Sequence, residues 1–477
     1  MGVLRLCVYS LMVQSLVVFL LEPTQVYAQG MTPEAVYARC YRQMVRAPIP
    51  TGDALYAQVK AKTLSVSDAC LQVLDKAKFD QAGQLVTPAD SVSKAVLKTF
   101  FDFHRTWFKT DNFLTLPSAD AFPHNSDIYD VYAPAYLPTR SLFGVSVPFS
   151  EIVTSPIAYE GIKTSSGPSK YSVAYQKPYS TFEFGVGGVT DDVKWATSTG
   201  EKPIAQFGTL IGVRPIRPNI LPRADGAIDI YKSFGGGTLG TRPYVLLNLG
   251  RQIGDKSDGG RIMPRRWMSA IFRDLLGRDL PVLRVADAND EVSKTSNLPF
   301  RNSVNCMACH KTMDHGASTA RNITYIQSTA QGNFGVATLH VNLRTPTLEA
   351  EAGPVDVDPD FYQRPPSGRL IYRSFDGTYI DRSVANIQQL GNAFADYDDI
   401  YLNAANQYFK FFTGISVYIT DFDAQTNPVS PRELEYRAFL IGLAKKLHAN
   451  QDLHQLVKSI LDSRYYQSYD YGFGGQK

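Results

Sequence analysis

Cys306-Met307-Ala308-Cys309-His310 sets two thiols three residues apart, with an imidazole directly after the second. Thiols at this spacing can add across the vinyl groups on one edge of a porphyrin, and the histidine that follows can turn under the ring to bind iron. The pattern predicts one covalent haem c, held by Cys306 and Cys309, with His310 as the proximal iron ligand. Four thiolates are also a complete tetrahedral set, so a zinc site built from Cys40, Cys70, Cys306 and Cys309 is the competing reading. It would leave His310 without a role.

The sixth ligand decides what such a haem does. An iron with two protein ligands carries electrons, whereas an open position can bind peroxide, oxygen or nitric oxide. Beyond the N-terminal segment the methionines are Met31, Met44, Met263, Met268, Met307 and Met313. Met313 stands three residues past His310, on the same helical face, and is expected to pack on the haem edge rather than reach the far side. Met263, with Pro264 behind it, is the expected distal ligand; an open site, Met268, His340 and His315 are the alternatives. Arg265 and Arg266 are candidates to pair with the haem propionates, because guanidinium meets carboxylate in a two-pronged geometry. The plainer reading of both is a solvated basic turn.

Haem c is attached outside the cytoplasmic membrane, so the N-terminus must allow export. Val8 to Leu21 is an apolar run behind Arg5, closed by Glu22-Pro23, and Val26-Tyr27-Ala28 offers a small-residue cleavage site. Residues 1–28 are expected to be a signal peptide, with an uncleaved anchor helix as the alternative, although the run is short for a span of about 20 residues. Phe411 to Ile419 is too short to cross a bilayer, so a soluble periplasmic, cell-envelope or outer-surface protein is expected. Cys7 leaves with the signal, and Cys40 and Cys70 remain as a pair that an oxidising compartment can join in a disulfide. The formal charge of +3 is unchanged by cleavage and too small to argue for a nucleic-acid partner.

The elements that must position this chemistry are read from caps and periodicity. The expected fold class is mainly α with irregular and short β segments, in several domains, because about 450 mature residues exceed one ordinary core. An N-terminal helical domain is expected over 29–112. It opens with Thr32-Pro33-Glu34, continues with a helix from Ser67 to Phe79, and adds a third helix capped at Thr87 that carries Val92, Val96, Phe100, Phe103 and Trp107. His104 lies on that stripe and is expected to be a satisfied core histidine. A Tyr-, Gly- and Pro-rich mixed domain follows over 113–250, with short strands and a helix near Ser150 to Tyr159. The haem-binding region spans 251–330, with a helix from Pro264 to Leu276 and an extended linker from Leu280 to Arg301. A hairpin about Asp376-Gly377 lies in 331–384, and a C-terminal helical domain in 385–466. There Ser430-Pro431-Arg432-Glu433 forms a capping box, and Leu434, Ala438, Ile441 and Ala444 form the apolar face behind it. His448 and His454 are expected to be surface or satisfied core residues. Residues 467–477 read as a disordered tail.

From Phe143 onward the order of motifs resembles the large exported multidomain proteins, best known in planctomycetes, that carry one cytochrome c-type motif among domains of unknown function. Arg261-Ile262-Met263-Pro264-Arg265-Arg266-Trp267 and Leu275-Leu276-Gly277 stand where that family has Arg-Thr-Ser-Pro, a basic residue, Trp and a helix ending Leu-Leu-Gly. Cys309-His310-Lys311-Thr312-Met313-Asp314-His315-Gly316 follows the family's haem motif, without its proline and one residue shorter. Gly414-Ile415 replaces an expected Gly-Arg. The resemblance covers about two thirds of the chain and implies an arrangement of domains more firmly than a reaction.

The function these residues predict is electron transfer by a monohaem c-type cytochrome whose large scaffold docks a redox partner, with possible membrane or cell-surface association. The alternatives are a haem peroxidase or oxygenase with an open distal site, and a surface-binding or structural envelope protein. The sequence shows no hydrolase triad or phosphate-binding loop.

Overall fold

The computed structural model describes residues 30–80, 86–87, 90–109, 133–156, 158–161, 193–196, 201–204, 228–231, 234–241, 244–245, 248, 265–296, 298–320, 323–329, 335–341, 367–425 and 428–469. Residues 1–28, expected to be a signal peptide, and Met263 lie outside them.

Helix α1, Pro33–Val45, starts where its cap requires: the Thr32 hydroxyl accepts from the Ala35 amide at 3.3 Å, and Pro33 fills the first position, which needs no donor. A short helix absent from the sequence reading, α2 (Ala54–Lys60), is nucleated by the Asp53 carboxylate accepting from the Tyr56 amide at 2.7 Å. Helix α3 runs Val66–Asp75, shorter than the expected Ser67 to Phe79. The Phe79 backbone is instead taken up by the 143–145 segment, donating to the Phe143 carbonyl and accepting from the Val145 amide. Helix α4, Ser91–Trp107, is capped by Asp90 rather than Thr87. Asp90 and Ser93 exchange side-chain-to-backbone bonds of 2.7 and 2.9 Å, while the Thr87 hydroxyl donates to the Lys76 carbonyl. The reciprocal pair satisfies two helix-end donors at once, which a lone Thr87 could not.

A disulfide joins Cys40 on α1 to Cys70 on α3, with Cα atoms 6.2 Å apart. The four-thiolate zinc reading is therefore corrected, since two of its ligands are spent on each other. The bond closes a loop with a sequence separation of 30. Replacing both cysteines by alanine is expected to cost about 3.5 kcal/mol through the wider unfolded ensemble, read as a lower urea midpoint. An unchanged midpoint would mean the bond contributes nothing.

After a 3-10 turn at Ala133–Ala135 come α5 (Tyr136–Phe143) and α6 (Glu151–Thr154). The helix expected near Ser150 to Tyr159 stops after one turn because Ser155 precedes Pro156, and a residue before proline disfavours helix. Tyr159 belongs to strand β1 (Ala158–Gly161), which pairs antiparallel with β2 (Val193–Ala196). Strands β3 (Glu201–Ile204) and β4 (Ile228–Tyr231) form a second antiparallel pair.

Helix α7, Arg265–Ile271, runs into a π turn over Phe272–Leu276 that Gly277 ends at φ 66°. Segment 280–301 is not the extended linker expected: it coils into 3-10 turns at Val285–Glu291 and Pro299–Asn302. Both pack on α8, Val304–Ala317, which carries the Cys-x-x-Cys-His motif. Strands β5 (Ile323–Thr329) and β6 (Gly335–Val341) pair antiparallel, with His340 opposite Thr324.

Strands β7 (Gly368–Arg373) and β8 (Tyr379–Val384) form the hairpin expected about Asp376-Gly377. The turn is one residue longer than a two-residue loop. The Ser374 amide donates to the Thr378 carbonyl and the Gly377 amide to the Ser374 carbonyl, which places Gly377 at φ 83°. This is a three-residue loop whose last residue must be left-handed, the role that suits glycine.

Helices α9 (Ile387–Ala395), α10 (Asp398–Thr413), α11 (Pro431–Asn450), α12 (Leu453–Leu461) and α13 (Arg464–Gln467) complete the chain. Ser430 caps α11 by accepting from the Glu433 amide at 3.1 Å. The Glu433 carboxylate turns to Arg437 instead of closing the box. The buried stripe of α11 is Tyr436, Leu440, Leu443, Ala444 and Leu447; Leu434 and Ala438 are exposed, so the expected face is rotated. The chain is docked at the boundary of the expected tail. Tyr466 is fully buried edge-on to Phe412 with the Arg39 guanidinium over its ring, and the Gln467 carbonyl accepts from the Met31 amide.

The architecture is mainly α with small two-stranded antiparallel sheets. The N-terminal and C-terminal helices, expected as separate domains 29–112 and 385–466, share one apolar cluster that runs from Val36 to Tyr466. Phe100 of α4 lies between Phe143, Phe411 and Phe412 at centroid distances of 5.2 to 6.3 Å. Among the described residues no helix is long and apolar enough to cross a membrane.

Candidate haem-binding site

The two cysteines and the histidine share one face of α8 because residues three and four apart on a helix are neighbours. Cys306 is exposed, Cys309 and His310 are half-buried, and Met313 follows one turn later on the same face. The opposite face is anchored. Met307 and Ala308 pack on Ala288 with Val292, Phe300 and Val304 around them. The Thr312 hydroxyl donates to the Ile371 carbonyl of β7 at 2.8 Å. At Gly316 the helix touches α7 so closely that an added Cβ would lie 2.4 Å from the Met268 sulfur. Gly316→Ala is expected to push these helices apart at a cost of about 1–3 kcal/mol, seen as a lowered melting temperature; an unshifted melt would mean Met268 moves aside freely.

The His310 ring is held from two sides. Phe300, from the second 3-10 turn, stacks on it with centroids 4.1 Å apart and planes inclined by 25°. Asp314, one helical turn on, places Oδ1 3.4 Å from His310 Nδ1. The same carboxylate accepts a two-pronged pair from Arg265, Nε to Oδ1 at 2.6 Å and Nη2 to Oδ2 at 3.1 Å, and both partners are buried. Burial pushes the Asp314 carboxyl up, but hydrogen bonds from His310 and Arg265 outweigh it and hold the group below the usual carboxylate range. The Arg265 guanidinium also lies over Phe300 at 5.4 Å. Burial, with Cys306 adding to it, pushes the Cys309 thiol up, so that thiol is not an activated nucleophile of its own accord.

A frame of ion pairs fixes the first 3-10 turn to α8 and β7. Lys311, next to His310, is buried and donates to both Asp290 oxygens and to the Asp287 carbonyl. Arg373 grips Asp287 through Nε and Nη2, and His315 Nε2 lies 3.0 Å from Glu291. Lys311, Arg373 and His315 hold these three carboxylates below their ordinary ranges.

The structure corrects the role expected of Arg265. Its fork is engaged by Asp314 inside the protein rather than offered to a propionate, while Arg266 lies at the surface on the next position of α7. Met268 is fully buried against Gly316, and His315 is occupied by Glu291, so neither is presented on the His310 face. Met263 falls outside the described residues, and His340 is placed only by its register in β6. Asp314, Phe300 and Asp290 were missed by the sequence reading. Asp314 was findable, since a carboxylate four residues after a histidine on a helix must face it.

His104 is a core histidine, fully buried between the Thr139 hydroxyl and the Tyr408 hydroxyl at 2.8 Å each. His448 lies 2.6 Å from Asp398 and stacks on Tyr401, and His454 lies 3.1 Å from Asp75, so both have local partners.

No protein-family model, curated protein or solved structure matches this chain.

The donor set fits a covalent porphyrin. Two unbonded thiols and one oriented imidazole share an accessible helix face whose back is rigidly packed. Cys306 and Cys309 would hold the macrocycle, His310 would bind its iron, and the haem would supply one-electron chemistry.

Proposed function

We propose that the chain is an exported monohaem c-type cytochrome that transfers electrons, with the rest of the fold serving as the scaffold that meets a redox partner. The observation that carries this reading is the Cys306, Cys309 and His310 face of α8, with the Cys306 thiol exposed, the Cys309 thiol half-buried beside it and the imidazole held by Phe300 and Asp314. The Cys40–Cys70 disulfide supports an oxidising compartment outside the cytoplasm, where haem c is also attached. A multidomain organisation like that of the planctomycete-type proteins belongs to the same proposal.

The test is an optical spectrum of the exported, haem-loaded protein, oxidised and reduced, with carbon monoxide added. An electron carrier shows a low-spin iron that does not take up carbon monoxide. A high-spin oxidised form that binds it quickly would replace electron transfer with chemistry at an open iron, a peroxidase or oxygenase.

A further inference from the structure

Asp314 is placed to do more than brace a helix. A metal-bound imidazole donates its other N–H to an acceptor, and that acceptor fixes the tautomer, orients the ring and sets how strongly the ligating nitrogen donates. Here the acceptor nearest His310 Nδ1 is a buried carboxylate, 3.4 Å away, not a neutral carbonyl. Its proton-bearing partner is therefore Nδ1, which leaves Nε2 for iron. Phe300, stacked on the ring face at 4.1 Å, stops the imidazole from rotating away from that acceptor.

Arg265 makes the arrangement adjustable. It shares Oδ1 with His310, at 2.6 Å against 3.4 Å, and takes Oδ2 as well. Two cationic prongs draw negative charge off the oxygen that faces the imidazole, so the ligand is strengthened less than by an unshared carboxylate. The charge on Asp314 and the competition from Arg265 act on the same nitrogen with opposite signs.

Resting on the haem reading above, we propose that Asp314, clamped by Arg265, is a positioning residue that holds His310 as the Nδ1–H tautomer and sets the donor strength of Nε2 toward iron. A more strongly donating imidazole favours the ferric state, so this pair tunes the midpoint potential from the protein side.

The experiment compares wild type with D314N, D314E and R265M, each exported and haem-loaded, at a pH of about 8 where Asp314 remains ionised. Two quantities are read: the midpoint potential, and the iron–histidine stretching frequency in time-resolved resonance Raman of the ferrous protein, taken in the five-coordinate state left when light releases the distal ligand. D314N is expected to raise the potential and lower the stretching frequency. R265M should shift both the other way, and D314E should recover most of the wild-type frequency. General packing damage would move D314N and R265M in the same direction, and that result overturns the proposal. An unchanged stretching frequency in loaded D314N also overturns it while leaving the haem reading intact. A wild-type protein with no haem absorbance removes both together. Where D314N does not accumulate, the sign of the R265M shift decides.

Discussion

Asp399→Ala is expected to lower stability by about 3–5 kcal/mol, because it strips the counter-charge from a buried arginine. Asp399 is fully buried at the start of α10. It accepts from the Ser374 hydroxyl at 2.8 Å, the Phe375 amide at 3.1 Å and the Tyr372 hydroxyl at 3.2 Å, and Arg278 Nη1 lies 3.9 Å away. Arg278 is itself buried, with the Arg373 carbonyl as its hydrogen-bond acceptor. The network joins the β7–β8 hairpin to α10, and β7 is the strand that pins α8 through Thr312. Asp399→Asn keeps the shape and an acceptor and should cost less. Burial raises the Asp399 carboxyl to about 6, against the stabilising pull of Ser374 and Arg278. Between its ordinary value near 3.8 and about 6 the native state binds the proton that the unfolded chain has released. In that window this group lowers stability as pH rises, by about 1.4 kcal/mol per pH unit. Urea midpoints from pH 4 to 7 check this: the asparagine variant should lack that contribution, and an identical pH profile in both proteins would remove Asp399 as its source.

The second large effect has the opposite sign and comes from His104. The Thr139 hydroxyl donates to the Ala135 carbonyl at 2.7 Å, so its oxygen must accept from His104 Nδ1, and Nε2 must accept from the Tyr408 hydroxyl. Protonating Nε2 would bury a charge and set two donors against each other. Burial accordingly drives the imidazole down to about 3. The unfolded histidine takes a proton below about 6.5, and the native one refuses it until about 3. Stability therefore falls as pH drops through this window, again by about 1.4 kcal/mol per pH unit. His104→Gln should be less stable than wild type at pH 7, with the difference shrinking steadily as pH falls below about 6.5. A constant difference across that range would show that His104 does not titrate between the two states. From pH 4 to 6 the His104 and Asp399 contributions run against each other, so the wild-type profile should be flatter than either variant's.

Much of this was legible in the residues. Thr32-Pro33, Ser430-Pro431 and the stop at Gly277 mark helix ends where the structure has them, because caps are local chemistry that needs no partner from elsewhere. His104 was readable as core from its place among Phe100, Phe103 and Trp107. Errors arose where distant segments decide. The rotated stripe of α11 is set by Phe409 and Tyr465, from other elements, packing on Tyr436, which periodicity on one helix cannot supply. Segment 280–301 looked like a linker because it lacks apolar periodicity; what coils it is charge, through Lys311 and Arg373 on Asp290 and Asp287. Arg265 looked like a propionate ligand because its partner, Asp314, is 49 residues away in sequence.

Whether Cys306 and Cys309 carry a covalent haem is read by intact-mass analysis combined with thiol alkylation. The protein would be expressed in a host that exports proteins and attaches haem c. One species is expected, lacking residues 1–28 and heavier by a single haem, with neither Cys306 nor Cys309 open to alkylation. A chain of unmodified mass whose two thiols both alkylate, from a host that matures a control cytochrome c normally, would mean that α8 carries no haem.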